Sequence, residues 1–333
     1  KLPRLSADEV LIRVDATTIS IRDCLERLRR DNNKELFEEL WVPGHEIVGR
    51  VVRAGTKSKS LSGKRIAALL PYGGGCSQYV RIKAEDAVEL PKEAGSNDVV
   101  ALLSTYMAAH QCLESVIEAC LKVDGAGDDG SVSIATNDDG RKESPLAGKN
   151  VMIYGAGNPA GLALVDLARN AGATVYAVSN KAHLSAIRDL RAHSWYGLNQ
   201  RKVWESKWKG TFDVIIDTVG DSHNHPSFFR VMKTRGRFAR LKTTSCNQKF
   251  VAQMEERGQW FGSYKELNGY EQRIFNDKTI DDYDIFHSVK KDKELFEEDL
   301  AYLFQLLQAG NIKPTIFSQV GFDGLEGEWE KIL

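Results

Sequence analysis

Apolar residues change their rhythm near residue 149, and the change divides the chain. Before it they come in short runs. Val10-Leu11-Ile12-Arg13-Val14 reads as a strand, as do Ile47 to Val52, Arg65 to Leu70 and Ser77 to Ile82. Gly44, Gly55, Gly63 and the triplet Gly73-Gly74-Gly75 punctuate them. Short, evenly spaced strands with glycine turns predict a twisted β-barrel or sandwich. The run Asn97 to Val123 then sets Leu102, Leu103, Tyr106, Ala109 and Leu113 at helical spacing.

From Lys149 onward strands and helices alternate. Strands are expected over 150–154, 174–178, 213–217 and 236–241, and helices over 160–171, 181–191 and 225–233. That order predicts a parallel, doubly wound sheet. Residues 263–285 are polar and give no pattern. Glu294 to Leu307 is amphipathic, Thr315 to Val320 reads as a short strand, and Leu325 to Leu333 as a helix. Val123 to Gly148 is rich in Gly, Asp and Ser, and reads as a solvated insertion or linker. Its Asp spacing does not match an EF-hand calcium loop.

Composition narrows the class. The 333 residues suffice for two domains with cores of their own. A net charge of −1 gives no global field to attract nucleic acid or an anionic membrane. No apolar run approaches the roughly 20 residues of a membrane span. The start shows no signal-peptide pattern, and Lys1 without a Met reads as an excised domain or processed fragment. Cys24, Cys76, Cys112, Cys120 and Cys246 form no CxxC pair, which favours free thiols in the cytoplasm or another reducing compartment.

Candidate chemistry concentrates between Asn150 and Asn180. A strand, a turn with Gly155, Gly157 and Gly161, a helix and a second strand make one βαβ unit. Such glycines let the backbone approach a pyrophosphate, and the helix N-terminus offers it free N–H groups. Asn158 and Pro159 interrupt the turn, and Pro has no N–H. The second strand ends in Ser179-Asn180-Lys181, where an NAD site usually carries an acid. A hydroxyl, an amide and a cation suit a 2′-phosphate instead, and hence NADP(H); the plainer alternative is a capped, solvated helix start. Thr218, Val219 and Gly220 follow a third buried strand and fall at the expected crevice; Asp217 before them is also a good turn former.

The segments DEVLIRVDATTISIRDCLER (8–27), PGHEIVGRVVRAG (43–55), GGCSQYV (74–80), GAGNPAG (155–161), FDVIIDTVG (212–220) and LLQAGNIKP (306–314) carry a resemblance. In this order they are similar to the medium-chain dehydrogenase/reductase superfamily, in its zinc-independent quinone oxidoreductase (zeta-crystallin-like) and enoyl reductase branch. The resemblance implies an α/β fold: a GroES-like β-rich catalytic domain (1–122), the insertion (123–148), a Rossmann dinucleotide-binding domain (149–265) and a C-terminal segment (266–333) returning to the catalytic domain. It further implies a cofactor in the cleft between domains, a small-molecule substrate and a possible homodimer through the Rossmann edge strand.

Zinc-dependent relatives hold catalytic zinc with a Cys, the His of a GHE sequence and a second Cys. By resemblance those positions are Ser20, His45 and Ser104 here, and neutral Ser is a poor zinc ligand. No metal is expected, and His45 reads as a packed or hydrogen-bonded residue. Hydride transfer without a Lewis acid suits quinones and conjugated enones, which delocalise the developing charge. Ser20, Asp23, His45 and Tyr106 are the residues expected to face the reaction, with Asp23 alternatively a helix cap and Tyr106 alternatively core. Asn158 and Pro159 stand where the branch has two glycines, Arg191 replaces a usual Gly after the second helix, and Leu198 replaces an aromatic residue near the adenosine. These departures sustain a second reading, a binding or scaffold domain that keeps the fold without the chemistry.

Overall fold

The computed structural model describes residues 4–32, 41–91, 95–124, 144–219, 225–241, 285–321 and 323–325. The chain folds as two compact units. One takes residues to Ser104 with Ile285–Ala309 and the chain from Ile316; the other takes Thr105–Asp284 with Gly310–Thr315.

In the first unit, β1 (Glu9–Thr17), β2 (Glu46–Ala54), β3 (Arg65–Leu69), β4 (Tyr79–Lys83) and β5 (Val88–Glu89) make one antiparallel sheet, ordered β4-β1-β2-β3-β5. The expected barrel or sandwich is, among the described residues, this five-stranded sheet. Alternation decides its faces. Val10 and Ile12 of β1 meet Ile47, Val51, Ile66 and Ile82 in an aliphatic core. Helix α1 (Ile21–Asn32) follows β1, and α2 (Ser96–Ala101) leads into a π-helical turn, Leu102–Tyr106. The helix expected over 97–123 is thus interrupted, and resumes as α3 (Met107–Asp124) in the second unit.

The second unit holds a parallel sheet of five strands, β6 to β10, ordered β10-β9-β6-β7-β8. Its central strands β6 (Asn150–Tyr154), β7 (Thr174–Ser179) and β9 (Phe212–Asp217) are almost continuously apolar because both faces are covered. Helix α4 (Pro159–Asn170) joins β6 to β7 and is buried from Ala160 to Ala168. Beyond β7 lie α5 (Leu184–Asp189), β8 (Ser194–Gly197), α6 (Arg201–Lys207), α7 (His225–Val231) and β10 (Met232–Arg240). An aromatic core forms where α6 and α7 pack. Trp204, Trp208, Phe212, Phe228 and Phe238 gather with Tyr154, and Tyr176 packs against them. The Tyr154 and Phe228 rings meet edge-on at 5.1 Å.

Several expectations shift. The helix expected over 181–191 is a 3₁₀ turn, Lys181–His183, followed by α5, and Arg191 takes a left-handed φ of 58°. The helix expected to reach 233 ends at Val231, because Met232 pairs with Phe212 in the sheet. No strand forms over Thr315–Val320: Phe317 and Val320 are exposed and no partner strand pairs with them among the described residues. Helix α8 (Ile285–Lys291) precedes α9 (Lys293–Gln308), the amphipathic helix expected from 294, capped by the Asp292 carboxylate on Leu295 N–H at 3.0 Å. Most of the insertion, Gly220 and nearly all of the final helix lie outside the described residues. Among the described residues no helix is long and apolar enough to cross a membrane.

Candidate functional site

Two polar arrangements carry the candidate chemistry, one in each unit. In the first unit, Ser20 stands at the N-cap of α1 with Asp23 three residues on, half of a capping box. Ser20 N–H and Oγ donate to Asp23 Oδ2 at 2.9 and 3.0 Å. Gly44 N–H donates to Asp23 Oδ1 at 2.7 Å, joining α1 to the start of β2. Asp23 is fully buried, and these donors replace the water it has lost.

His45 lies beside it. Its Nδ1 is 2.9 Å from the Leu70 carbonyl oxygen, which can only accept, so Nδ1 carries the proton. Nε2 stands 3.6 Å from Asp23 Oδ1 and makes no hydrogen bond. Burial holds the imidazole pKa below its ordinary value, with Asp23 opposing. Phe286 of α8 meets the His45 ring edge-on at 6.0 Å and takes the Arg22 guanidinium over its face at 4.4 Å.

Glu46, the next residue, was not singled out from the sequence. Its buried carboxyl is bonded by the Thr18 hydroxyl and by Ser104 of the π-helical turn. Burial pushes its pKa up because neither partner brings charge. Ser20, Asp23 and His45 therefore come together, with Glu46 and Ser104 as additions. Tyr106 is spent elsewhere. Its hydroxyl donates to Asp166 Oδ2 on α4 at 2.7 Å, and Lys313 N–H reaches the same oxygen at 2.7 Å. Burial and then the Asp166 charge raise the phenol's pKa. Among the described residues no group of three or more His, Cys, Asp or Glu is placed to hold a metal ion.

In the second unit, the β6–α4 turn is shaped by what it excludes. Gly155 has φ 84°, and a Cβ there would stand 2.4 Å from Thr218 Oγ1 and 2.5 Å from Val219 Cγ2. At Gly161 it would stand 2.4 Å from the Gly155 carbonyl oxygen. At Gly157 it would meet Ser179 Oγ at 2.2 Å and His183 Cβ at 2.7 Å, so this glycine makes room for side chains of the β7 end. Ser179 is buried accordingly, while Asn180 and Lys181 are exposed. His183 carries no sequence signal beyond its type, and only the fold brings it to the turn.

Asn158 is the N-cap of α4, with Pro159 at N1. Its Oδ1 accepts from Gly161 N–H at 2.7 Å, and its Nδ2 donates to Thr218 Oγ1 at 2.7 Å. Thr218 Oγ1 in turn reaches the Tyr154 carbonyl at 3.0 Å. Asp217 is the turn former, accepting from Val219 N–H at 2.8 Å, and its other oxygen lies 3.9 Å from the buried Arg240 guanidinium. The turn sits at the carboxyl edge of a parallel sheet, where such folds bind ligands, with no main-chain donor at Pro159 and the Gly161 N–H taken by Asn158.

Comparison with known proteins agrees with this architecture. The alcohol dehydrogenase GroES-like domain family matches residues 6–92. A quinone oxidoreductase-like protein 2 homolog of Nematostella vectensis is 27% identical over 223 residues, which is 65% of this chain and 53% of that protein. The chain thus spans about half of that relative's length. An acryloyl-coenzyme A reductase of Sulfurisphaera tokodaii is 24% identical over 347 positions, covering 99% of this chain and 90% of the relative. The quinone oxidoreductase of Thermus thermophilus, solved also in complex with NADPH, shares the fold at a TM-score of 0.61 and 19% identity, over 100% of this chain and 90% of its own.

Proposed function

We propose that this chain, which belongs to the medium-chain dehydrogenase/reductase superfamily in its zinc-independent quinone oxidoreductase and enoyl reductase branch, transfers hydride from NADPH to a quinone or a carbonyl-activated double bond. The observation that carries this reading is the glycine turn at the carboxyl end of β6, opening onto the N-terminus of α4. Gly155, Gly157, Asn158 and Gly161 form the wall against which a pyrophosphate rests. Exposed Asn180 and Lys181 follow the end of β7 and take the 2′-phosphate. Thr218 and Val219, which Gly220 follows in sequence, line the sheet edge beside it. Bound NADPH supplies the hydride.

The first unit carries the acid–base groups of this reading. Hydride addition to an enone leaves an enolate, and to a quinone a phenolate, each of which then takes one proton. Asp23 holds the Ser20 hydroxyl, and His45 Nε2, unprotonated at rest, takes a proton from solvent before passing it on. Glu46, favoured in its neutral form, completes the hydroxyl-lined set with Thr18 and Ser104. Tyr106 is a positioning residue on this reading, since its hydroxyl serves Asp166.

Lys181→Glu tests the nucleotide assignment. It should weaken NADPH at least ~10-fold more than NADH, because it replaces a phosphate partner by a like charge. Calorimetric titration of both nucleotides measures this, and equal losses would overturn the assignment. The scaffold reading draws on Pro159 and on the Gly161 N–H already taken by Asn158. It predicts no quenching of Trp fluorescence by NADPH.

A further inference from the structure

The first turn of α4 should present its unpaired N–H groups to a phosphate. Here most are committed. Asn158 N–H bonds the Gly155 carbonyl at 3.1 Å. Pro159 has none. Gly161 N–H donates to Asn158 Oδ1 at 2.7 Å. Ala160 is left as the first-turn donor that the turn does not already use. The other end of the same amide is equally engaged, since Asn158 Nδ2 donates to Thr218 Oγ1 at 2.7 Å and lies 3.3 Å from the Thr218 carbonyl oxygen. One side chain thus closes the turn at both ends: its oxygen sits on the helix terminus and its nitrogen on the carboxyl end of β9.

From this geometry we infer that Asn158 is a resident surrogate for the cofactor's pyrophosphate and sets the strength with which this chain takes a dinucleotide. The inference rests on the functional reading above and adds a residue that determines affinity. The Asn158 oxygen imitates a phosphate oxygen by accepting a helix N–H, and its amide ties down the hydroxyl of Thr218. A pyrophosphate arriving at the helix terminus meets one open N–H of the first helical turn, that of Ala160, and competes for the second, that of Gly161. The turn is therefore held in its bound-like shape without ligand, at the expense of affinity for one.

Two variants separate this from a simple helix cap. Asn158→Gly removes the surrogate, and glycine is the residue that replaces Asn at an N-cap with little loss of helix stability. It should tighten NADPH, and inorganic pyrophosphate as a minimal probe, by on the order of tenfold, the worth of one charge-assisted hydrogen bond. Asn158→Asp keeps the cap, since Asp and Asn serve equally at an N-cap, but sets a carboxylate against the phosphates. It should weaken both ligands at least ~10-fold. Isothermal calorimetry on the whole chain reads both, with circular dichroism confirming that each variant is folded. If Asn158→Gly binds no tighter than the wild type while Asn158→Asp binds more weakly, the surrogate inference is overturned and the dinucleotide reading stands. If Asn158→Asp binds as the wild type does, or no form binds either ligand, no phosphate comes to this turn and both fall.

Discussion

The first unit builds its candidate site from side chains, and the second from backbone. Around Asp23 every feature is chemical: a carboxylate takes three hydrogen bonds, an imidazole keeps one nitrogen unbonded, and a second carboxyl is buried among hydroxyls. Around Gly155 the features are steric. Three glycines stand where no Cβ fits, and the walls are Thr218, Val219, Ser179 and a carbonyl. The cores match this division. Aliphatic residues make the cluster on the antiparallel sheet, and interlocked rings dominate the one beside α6 and α7. Charge-neutral substitutions should therefore disturb the first site most, and added methyl groups the second.

Gly155→Val tests the steric side and should have the largest effect. It places a branched residue at φ 84° against Thr218 and Val219. A loss of about 3–5 kcal/mol in urea unfolding followed by Trp fluorescence is expected, from backbone strain plus overpacking. A loss below about 1 kcal/mol, the scale of an ordinary surface change, would mean that the turn relaxes easily. Asp23→Ala tests the chemical side. It strands the Ser20 and Gly44 N–H groups in a buried place, at about 2–4 kcal/mol for the pair by the same unfolding assay. Asp23→Asn should lose less, since its amide oxygen still accepts.

Glu46→Gln should stabilise, by an amount that grows with pH. Burial raises the native carboxyl's pKa above that of the unfolded chain. The native state then holds its proton more tightly, so wild-type stability falls as pH rises from the unfolded value through the raised native one. Below about pH 4 both states are protonated and the two proteins should melt alike. Near neutral pH the variant should melt a few degrees higher, as loss of a modest ionisation penalty implies. Equal melting across the whole range would show that Glu46 is not penalised. The smallest effect is expected from Arg191→Gly. Arg191 holds φ 58° after α5, where a side chain costs about 1–2 kcal/mol and glycine's extra unfolded-state freedom offsets part of that. A net gain of about 0.5–1 kcal/mol in the same urea assay follows.

Much of this was legible in the sequence, for identifiable reasons. The βαβ unit declared itself because β6 and β7 are buried on both faces and α4 begins at a glycine turn, so local pattern and tertiary environment agree. Arg191 was legible as an exception, since a missing glycine after a helix is a visible departure. The β8–α6 stretch was not: Ser194-Trp195-Tyr196-Gly197 is too short for a period, and the place of Tyr196 is explained only by the Trp208 ring it meets. Asp23 and His45 were visible as types, but their union depends on Gly44 passing the end of α1. Glu46 was visible only as the neighbour of His45, and His183 carried no signal, because their environments come from strands and turns distant in sequence. Tyr106 looked available because a helical period cannot show that Asp166 awaits its hydroxyl sixty residues away.

The cysteines carry a practical consequence. Cys24 and Cys76 lie in the first unit, Cys112 and Cys120 in the second, and all four are buried thiols outside any disulfide. Burial lifts the first thiol to about 11 and the next two to about 12, far from the thiolate form that alkylating reagents attack. Each therefore stays silent until its surroundings open. Pulsed labelling with isotope-coded iodoacetamide, read peptide by peptide, would make the chain report its own openings, with two internal clocks in each unit among the described residues and no probe to introduce.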